Sequence, residues 1–148
     1  MYTEQITQRL GITAAANPQI LNNASVNSGA VDMSKFHRAF FILEIGTVVS
    51  GGSINAQLIQ SAASNLGSAT NVPGSNTGLT ALTTSNKQYT FEVRSDQLTA
   101  GQQFVGLQVT ETAGHNVTLC VVGYGDEAAH KPGNAQNDAS VAGQQVTT

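Results

Sequence analysis

Apolar and polar side chains alternate at every second residue along much of the chain. In residues 53–60, Ile54 and Leu58 fall on one face, while Asn55 and Gln57 fall on the other. Residues 88–94 and 103–111 follow the same rule. A period of two is typical of a strand with one buried and one exposed face, so each of these segments is predicted to be a β-strand.

The segment 36–45 is apolar on both faces through its middle, which predicts a central strand covered on both sides. A further strand is expected over residues 116–124. Turn signals separate these strands at spacings of roughly ten residues, and no segment has the pattern of a core helix. The sequence therefore predicts an all-β fold, a single-domain antiparallel β-sandwich of jelly-roll type.

Three segments lack this alternation. Residues 1–30 are polar and interrupted by Gly, Asn and Pro, so an extended N-terminal arm with little regular structure is predicted ahead of a β-sandwich domain over residues 31–148. Residues 61–86 form a long polar loop, in which 78–83 supplies a short strand or a packed loop. Residues 125–148 form a polar C-terminal tail, with 144–147 a candidate edge strand.

Charge is scarce in this chain of 148 residues. Only 10% of the residues are charged, against about 25% in a typical soluble domain, and residues 45–86 contain no charged side chain. The formal net charge is −3, so the chain has no basic field for phosphates and no nucleic-acid partner is expected. Uncharged polar side chains need no counter-charge when a protein surface covers them. This composition favours protein–protein contact.

The sequence also predicts where the chain is made. No secretory leader and no apolar run long enough to span a bilayer are recognised, so no membrane association is expected. The single cysteine, Cys120, lies in an apolar run and is predicted to be a small buried side chain. These features favour synthesis in a reducing cytoplasm.

No catalytic constellation is found. His37, His115 and His130 are far apart and in no metal-ligand spacing, so no metal and no cofactor are expected. Glu44, Glu92 and Glu111 lie on predicted strands, where two of them could form a glycosidase pair. The chain has no Trp to stack on a sugar, and exposed strand acids are usually solubilising. The chain is therefore predicted not to be an enzyme.

Two stretches resemble a small family of tailed-phage and prophage structural proteins. The motif VDMSKF at residues 31–36 precedes an apolar strand and GGSINAQLIQ at 51–60, and KQYTFEVR at 87–94 precedes FVGLQVT at 104–110. Gly106 departs from the Arg that is frequent in the family. The resemblance implies a virion component, a decoration (cement) protein on the capsid exterior, synthesised in the cytoplasm of the bacterial host.

The resemblance implies two kinds of partner. One is the major capsid protein, and the other is further copies of this chain, which would form a homo-oligomer. The apolar side chains of the arm and of the loop are the candidate contacts: Tyr2, Ile6, Leu10, Ile12, Ile20, Leu21, Leu66, Val72 and Leu79. Two alternatives stay open, a tail or neck component and a carbohydrate- or receptor-binding β-module.

Overall fold

The computed structural model describes residues 6–75, 78–128 and 137. The elements, in chain order, are helix α1 (Ile6–Arg9) and strands β1 (Gly11–Leu21), β2 (Ala24–Asn27), β3 (Val31–Asp32), β4 (Phe36–Val48), β5 (Ile54–Ser61), β6 (Thr70–Asn71), β7 (Leu79–Leu82), β8 (Lys87–Arg94), β9 (Phe104–Glu111) and β10 (Val117–Ala128), with a 3₁₀ turn at Ser95–Gln97.

The strands form two antiparallel sheets. The four-stranded sheet has the order β1-β10-β4-β8. The six-stranded sheet has the order β2-β9-β5-β6, with β3 also paired to β9 and β7 also paired to β5. The predicted all-β sandwich is confirmed.

The inward faces of the two sheets enclose one apolar core. Phe41 and Leu43 enter it from β4, and Leu107 and Val109 enter it from β9; all four are 0% exposed. Burying one such side chain contributes about 1.5–3 kcal/mol to stability. The alternation along β4, β5 and β9 places these residues together on the buried side.

The N-terminal segment differs from the prediction of an arm with little regular structure. Strand β1 pairs with β10, and β2 pairs with β9. Ala14 and Leu21 of β1 are core residues, 0% and 4% exposed. Gly123, opposite Ala14 on β10, leaves room for it, because a Cβ at Gly123 would lie 2.8 Å from the Ala14 Cβ. The prediction failed because core alanines and bulges weaken the alternation of apolar and polar residues.

Strand β4 is covered on one face rather than on both. Phe41 and Leu43 are buried, whereas Phe40 and Ile42 on the outer face are only half-buried. The expectation for Cys120 is wrong for the same reason: it lies opposite the exposed Glu44 in the β10–β4 register and is half-buried on the outer face. Half-covered apolar positions look like core positions in a sequence because both carry the same residue types.

The predicted polar loop contains two short strands, β6 and β7, which pair with β5. Strand β10 continues beyond residue 124 to Ala128 and so includes the start of the predicted tail. The candidate edge strand at 144–147 lies outside the described residues.

Candidate interaction surfaces

The charged side chains of the described chain are unevenly distributed. Most of them lie on the strands of the four-stranded sheet or beside its edges. The ion pairs are Arg9–Asp126, Lys35–Asp32, Arg38–Glu92, Arg38–Glu127 and Arg94–Asp96. Within the pair Arg9–Asp126, the guanidinium hydrogen bonds lower the pKa of the Asp126 carboxyl.

The outer face of the six-stranded sheet is different. Six uncharged polar side chains of β2, β9 and β5 lie on it, and we call this set the amide face: Ser25, Asn27, Asn55, Gln57, Gln108 and Thr110. The strand register places them in two rows of three, with Ser25 beside Thr110 in one row and Asn27 beside Gln108 in the other. All six are at least partly exposed.

Cross-strand hydrogen bonds hold the amide face in place. The hydroxyls of Ser25 and Thr110 are 2.8 Å apart, and Gln108 Nε2 donates to Asn27 Oδ1 over 3.1 Å. Asn55 Oδ1 accepts from the backbone N–H of Ala81. Each amide carries two donor hydrogens and an oxygen with two lone pairs, so this face retains hydrogen-bonding capacity for a partner without burying a charge.

Leu66 bounds the amide face at one end. The loop between β5 and β6 folds back over the sheet, and Leu66, 5% exposed, lies where a side chain at Gly106 would stand. Ile59, 2% exposed, is the β5 residue opposite Gly106. Packing therefore explains why residue 106 is a glycine and not the Arg that is frequent in the resembled family: Gly106 leaves room for Leu66.

A groove of about 740 Å³ crosses the outer face of the four-stranded sheet, and we call it the Glu44 groove. Pro18 and Ile20 line it on one side and Lys87 and Gln88 on the other. Pro18 lies in a register shift between Ala16 and Gln19, where β1 departs from regular pairing with β10.

Glu44 is hydrogen-bonded at the floor of this groove. Gln88 Nε2 donates to one carboxylate oxygen over 3.0 Å, and the Cys120 thiol lies 3.4 Å from the other. Partial burial raises the pKa of the Cys120 thiol, and the neighbouring carboxylate raises it further. The thiolate is the nucleophilic form, so this environment disfavours cysteine chemistry.

Glu111 is the buried carboxylate, 1% exposed, and it joins two turns. It accepts hydrogen bonds from the backbone N–H of Asn23, Ala113 and Gly114, at 2.7, 2.8 and 3.1 Å. The bond from Asn23 is the main cause of the lowered pKa of Glu111. Its partners are backbone groups of its own chain, which assigns it a structural role.

The candidate contact residues divide into three groups. Ile6, Ile20 and Leu79 are exposed, at 76%, 61% and 37%, and Leu10 and Ile12 are half-buried. Leu21, Leu66 and Val72 are buried inside the chain at 4%, 5% and 2% exposure, which corrects their expected role as contacts. Tyr2 lies outside the described residues.

The uncharged polar composition predicted protein–protein contact, but the residues named as candidate contacts were all apolar, so no residue of the amide face was among them. Strands β2, β5 and most of β9 come from the uncharged stretches 10–31, 45–86 and 97–110. Absence of charge alone does not single out this face, since the uncharged stretch 112–125 forms most of β10 in the other sheet.

Over residues 6–75 and 78–128, no three His, Cys, Asp or Glu side chains form a group able to hold a metal ion. In the same part of the chain, no helix has the length and apolar character of a membrane span.

In sequence, no protein-family model and no curated protein matches this chain. In structure, it is similar to a chain of infectious bursal disease virus, Gt strain, with 12% identity, a TM-score of 0.51 and coverage of 85% of this chain and 35% of that one. It spans about a third of that protein.

Two further structures are more distant. One is a subunit of the disulfide-linked pili of Bacillus endospore appendages, with 12% identity, a TM-score of 0.45 and coverage of 85% of this chain and 97% of that one. The other is the VP2 subviral particle of infectious bursal disease virus, with 14% identity, a TM-score of 0.42 and coverage of 87% and 32%. The all-β fold of this chain is thus shared with a chain of a virus structure.

Proposed function

We propose that this chain is a non-enzymatic structural protein of a virion, a decoration protein that binds the capsid exterior of a tailed phage. The amide face carries the proposal. It is a surface of hydrogen-bonded amides and hydroxyls that can lie against a protein shell without desolvating a charge, and burying an unpaired charge costs several kcal/mol. The resemblance of residues 31–36 and 51–60 to motifs of tailed-phage structural proteins supports the same role.

The size of the amide face indicates how such binding would work. Strand β2 contributes four residues to this face, so its two rows extend about 13 Å along the strands, and three neighbouring strands are about 14 Å wide. The resulting area of roughly 200 Å² is about a quarter of the 800 Å² or so that each partner buries in a standard interface. One copy would therefore bind weakly, and attachment of linked copies would gain from multivalency.

A pair of matched lysine variants tests the role of the amide face. Thr110→Lys places a charge on the amide face, whereas Thr90→Lys places the same charge on the exposed outer side of β8. We expect Thr110→Lys to lower occupancy on purified capsids of the encoding phage at least tenfold, because the ammonium must be desolvated without a partner. Thr90→Lys should bind as the wild type does.

Co-sedimentation with empty heads and, separately, with purified tails measures this binding. Binding to heads that is lost only in Thr110→Lys supports decoration through the amide face. Binding to tails alone would favour the tail or neck alternative, and binding to neither particle but to cell-surface glycans would favour the carbohydrate-binding module. Equal occupancy of the two variants on heads would refute the role of the amide face.

A further inference from the structure

Strand β8 is an edge of the four-stranded sheet, and among the described strands it pairs with β4 alone. Its eight residues include no Pro and no Gly, and its pairing with β4 has no register shift. The other described edges are shorter or irregular: β1 contains Pro18 and two register shifts, and β2, β3, β6 and β7 have at most four residues each. Short strands, bulges and Pro protect an edge from pairing with another chain, whereas a long regular edge is a template for it.

Alternate residues of β8 turn their backbone groups away from β4. In an antiparallel pair, successive residues direct their N–H and C=O groups to opposite sides of the strand. The N–H of Arg94 donates to Gln97 Oε1 over 2.9 Å and not to β4, which places the even-numbered residues of β8 on the free side. Gln88, Thr90 and Glu92 therefore present their N–H and C=O groups at an edge where no described strand pairs with them.

We infer that the free edge of β8 is the contact between two copies of this chain, which pair their β8 strands antiparallel about a two-fold axis at Thr90. In this register Thr90 lies opposite Thr90 of the other copy, and Gln88 of each copy lies opposite Glu92 of the other. Each of these pairs exchanges both of its N–H···O=C bonds. A two-fold contact uses the same patch on both sides, and this register uses all the free groups of the patch while leaving Arg94 with Gln97.

The side chains of this register favour a second copy as the partner. Tyr89 and Phe91 are half-buried and pack against the border of the core. Tyr89 of each copy would lie opposite Phe91 of the other in a non-hydrogen-bonded pair, where side chains approach most closely, and aromatic cross-strand pairs stabilise a sheet. Glu92 lies opposite an amide and Lys87 opposite Val93, so no like charges lie directly opposite each other.

Pairing at this edge would place both amide faces on the same side of the dimer. Neighbouring antiparallel strands of one sheet are related by a two-fold axis perpendicular to the sheet, so the two four-stranded sheets would join into one continuous sheet. The six-stranded sheets of both copies would then lie on one common side of it. The inference concerns the isolated protein and does not depend on binding to a capsid.

Two substitutions at Thr90 test the contact. Thr90→Pro removes an N–H that β4 does not use, and Pro is tolerated in an edge strand where the N–H faces solvent. It deletes both bonds of the central pair, so we expect the dimer dissociation constant to rise at least tenfold. The matched control Thr90→Val keeps the N–H and a β-branched side chain, and it should dimerise as the wild type does.

Sedimentation velocity of the full chain, from micromolar to near-millimolar concentration, measures the three samples, and circular dichroism shows whether Thr90→Pro is folded. Hydrogen exchange of the wild type provides a second measurement that needs no variant. The N–H groups of Gln88, Thr90 and Glu92 should exchange more slowly as the concentration rises, because they are bonded only in the dimer.

A monomeric wild type throughout this range would overturn the inference. So would a folded Thr90→Pro that dimerises like the wild type, or a dimer in which exchange at Gln88, Thr90 and Glu92 stays fast. Position 90 lies at the proposed axis, so Thr110→Lys and Thr90→Lys are compared on capsids at concentrations where both are monomeric. Failure of the dimer then leaves the expectation for capsid binding unchanged.

Discussion

At the scale of single residues, Glu111 is the side chain whose substitution should lower stability by disturbing two turns at once. It receives backbone hydrogen bonds from the turn after β1 and from the turn after β9. In Glu111→Gln one oxygen is replaced by an NH₂ group, which turns a donor toward N–H groups and leaves at least one of them unsatisfied. We expect a lower urea midpoint at pH 7, whereas Glu92→Gln, at an exposed position, should change stability by less than about 0.5 kcal/mol.

The stability lost in Glu111→Gln should depend on pH, because the pKa of Glu111 is lowered in the folded protein. A carboxyl whose pKa is lower in the folded than in the unfolded state stabilises the fold at any pH above the unfolded-state pKa, which is about 4.3 for Glu. This stabilisation disappears as the pH falls through the folded-state pKa. The difference between wild type and Glu111→Gln should therefore shrink from pH 7 to pH 3. A constant difference over that range would contradict an ionised Glu111.

Gly106 and Leu66 form a second residue-scale case. Gly106→Ala introduces a Cβ into the space of the Leu66 side chain, and overpacking of this kind costs about 1–3 kcal/mol. Leu66→Ala removes a buried side chain and should cost about 2–5 kcal/mol. Because the two groups compete for one space, the double variant should be more stable than the sum of the single losses predicts. Additive losses in a double-mutant cycle would refute the contact.

At the scale of elements, the presence of strand β1 determines whether a protein with an N-terminal deletion still unfolds cooperatively. Removing residues 1–10 deletes α1 and the exposed Arg9–Asp126 pair, and such a pair is worth about 0–1 kcal/mol. Removing residues 1–22 also deletes β1, which exposes the hydrogen-bonding edge of β10 and opens the core. We expect a cooperative melt for the shorter deletion and none for the longer. An unchanged melt after the longer deletion would show that β1 is dispensable.

Strands β5, β8 and β9 were predictable because their apolar residues alternate, and β4 and β10 were predictable because they contain apolar runs between turn signals. Strand β1 was missed because its core residues include small alanines and its register shifts twice, around Thr13 and between Ala16 and Gln19. A bulge moves later residues to the opposite face, so the alternation in β1 is broken. The surfaces were harder to foresee than the strands, since the Glu44 groove combines β1, β4, β8 and β10, which only the fold brings together.

At the scale of the whole molecule, the two outer faces differ in chemistry. The four-stranded sheet carries ion pairs and the Glu44 groove, whereas the amide face of the six-stranded sheet carries hydroxyls and amides only. A decoration protein needs one surface for the shell and another for its neighbours or for solvent. In the proposed function, the uncharged amide face supplies the surface toward the shell, while the charged Asp32 on β3 and Glu111 on β9 lie outside that face.

Cryo-electron microscopy of the parent particle is the most direct test of this account. The prediction is density for this chain on the outside of the head, with the six-stranded sheet against the shell and Ser25, Gln57 and Thr110 within contact distance of the capsid protein. Density confined to the tail or neck, or a copy bound to the shell through the four-stranded sheet, would contradict it.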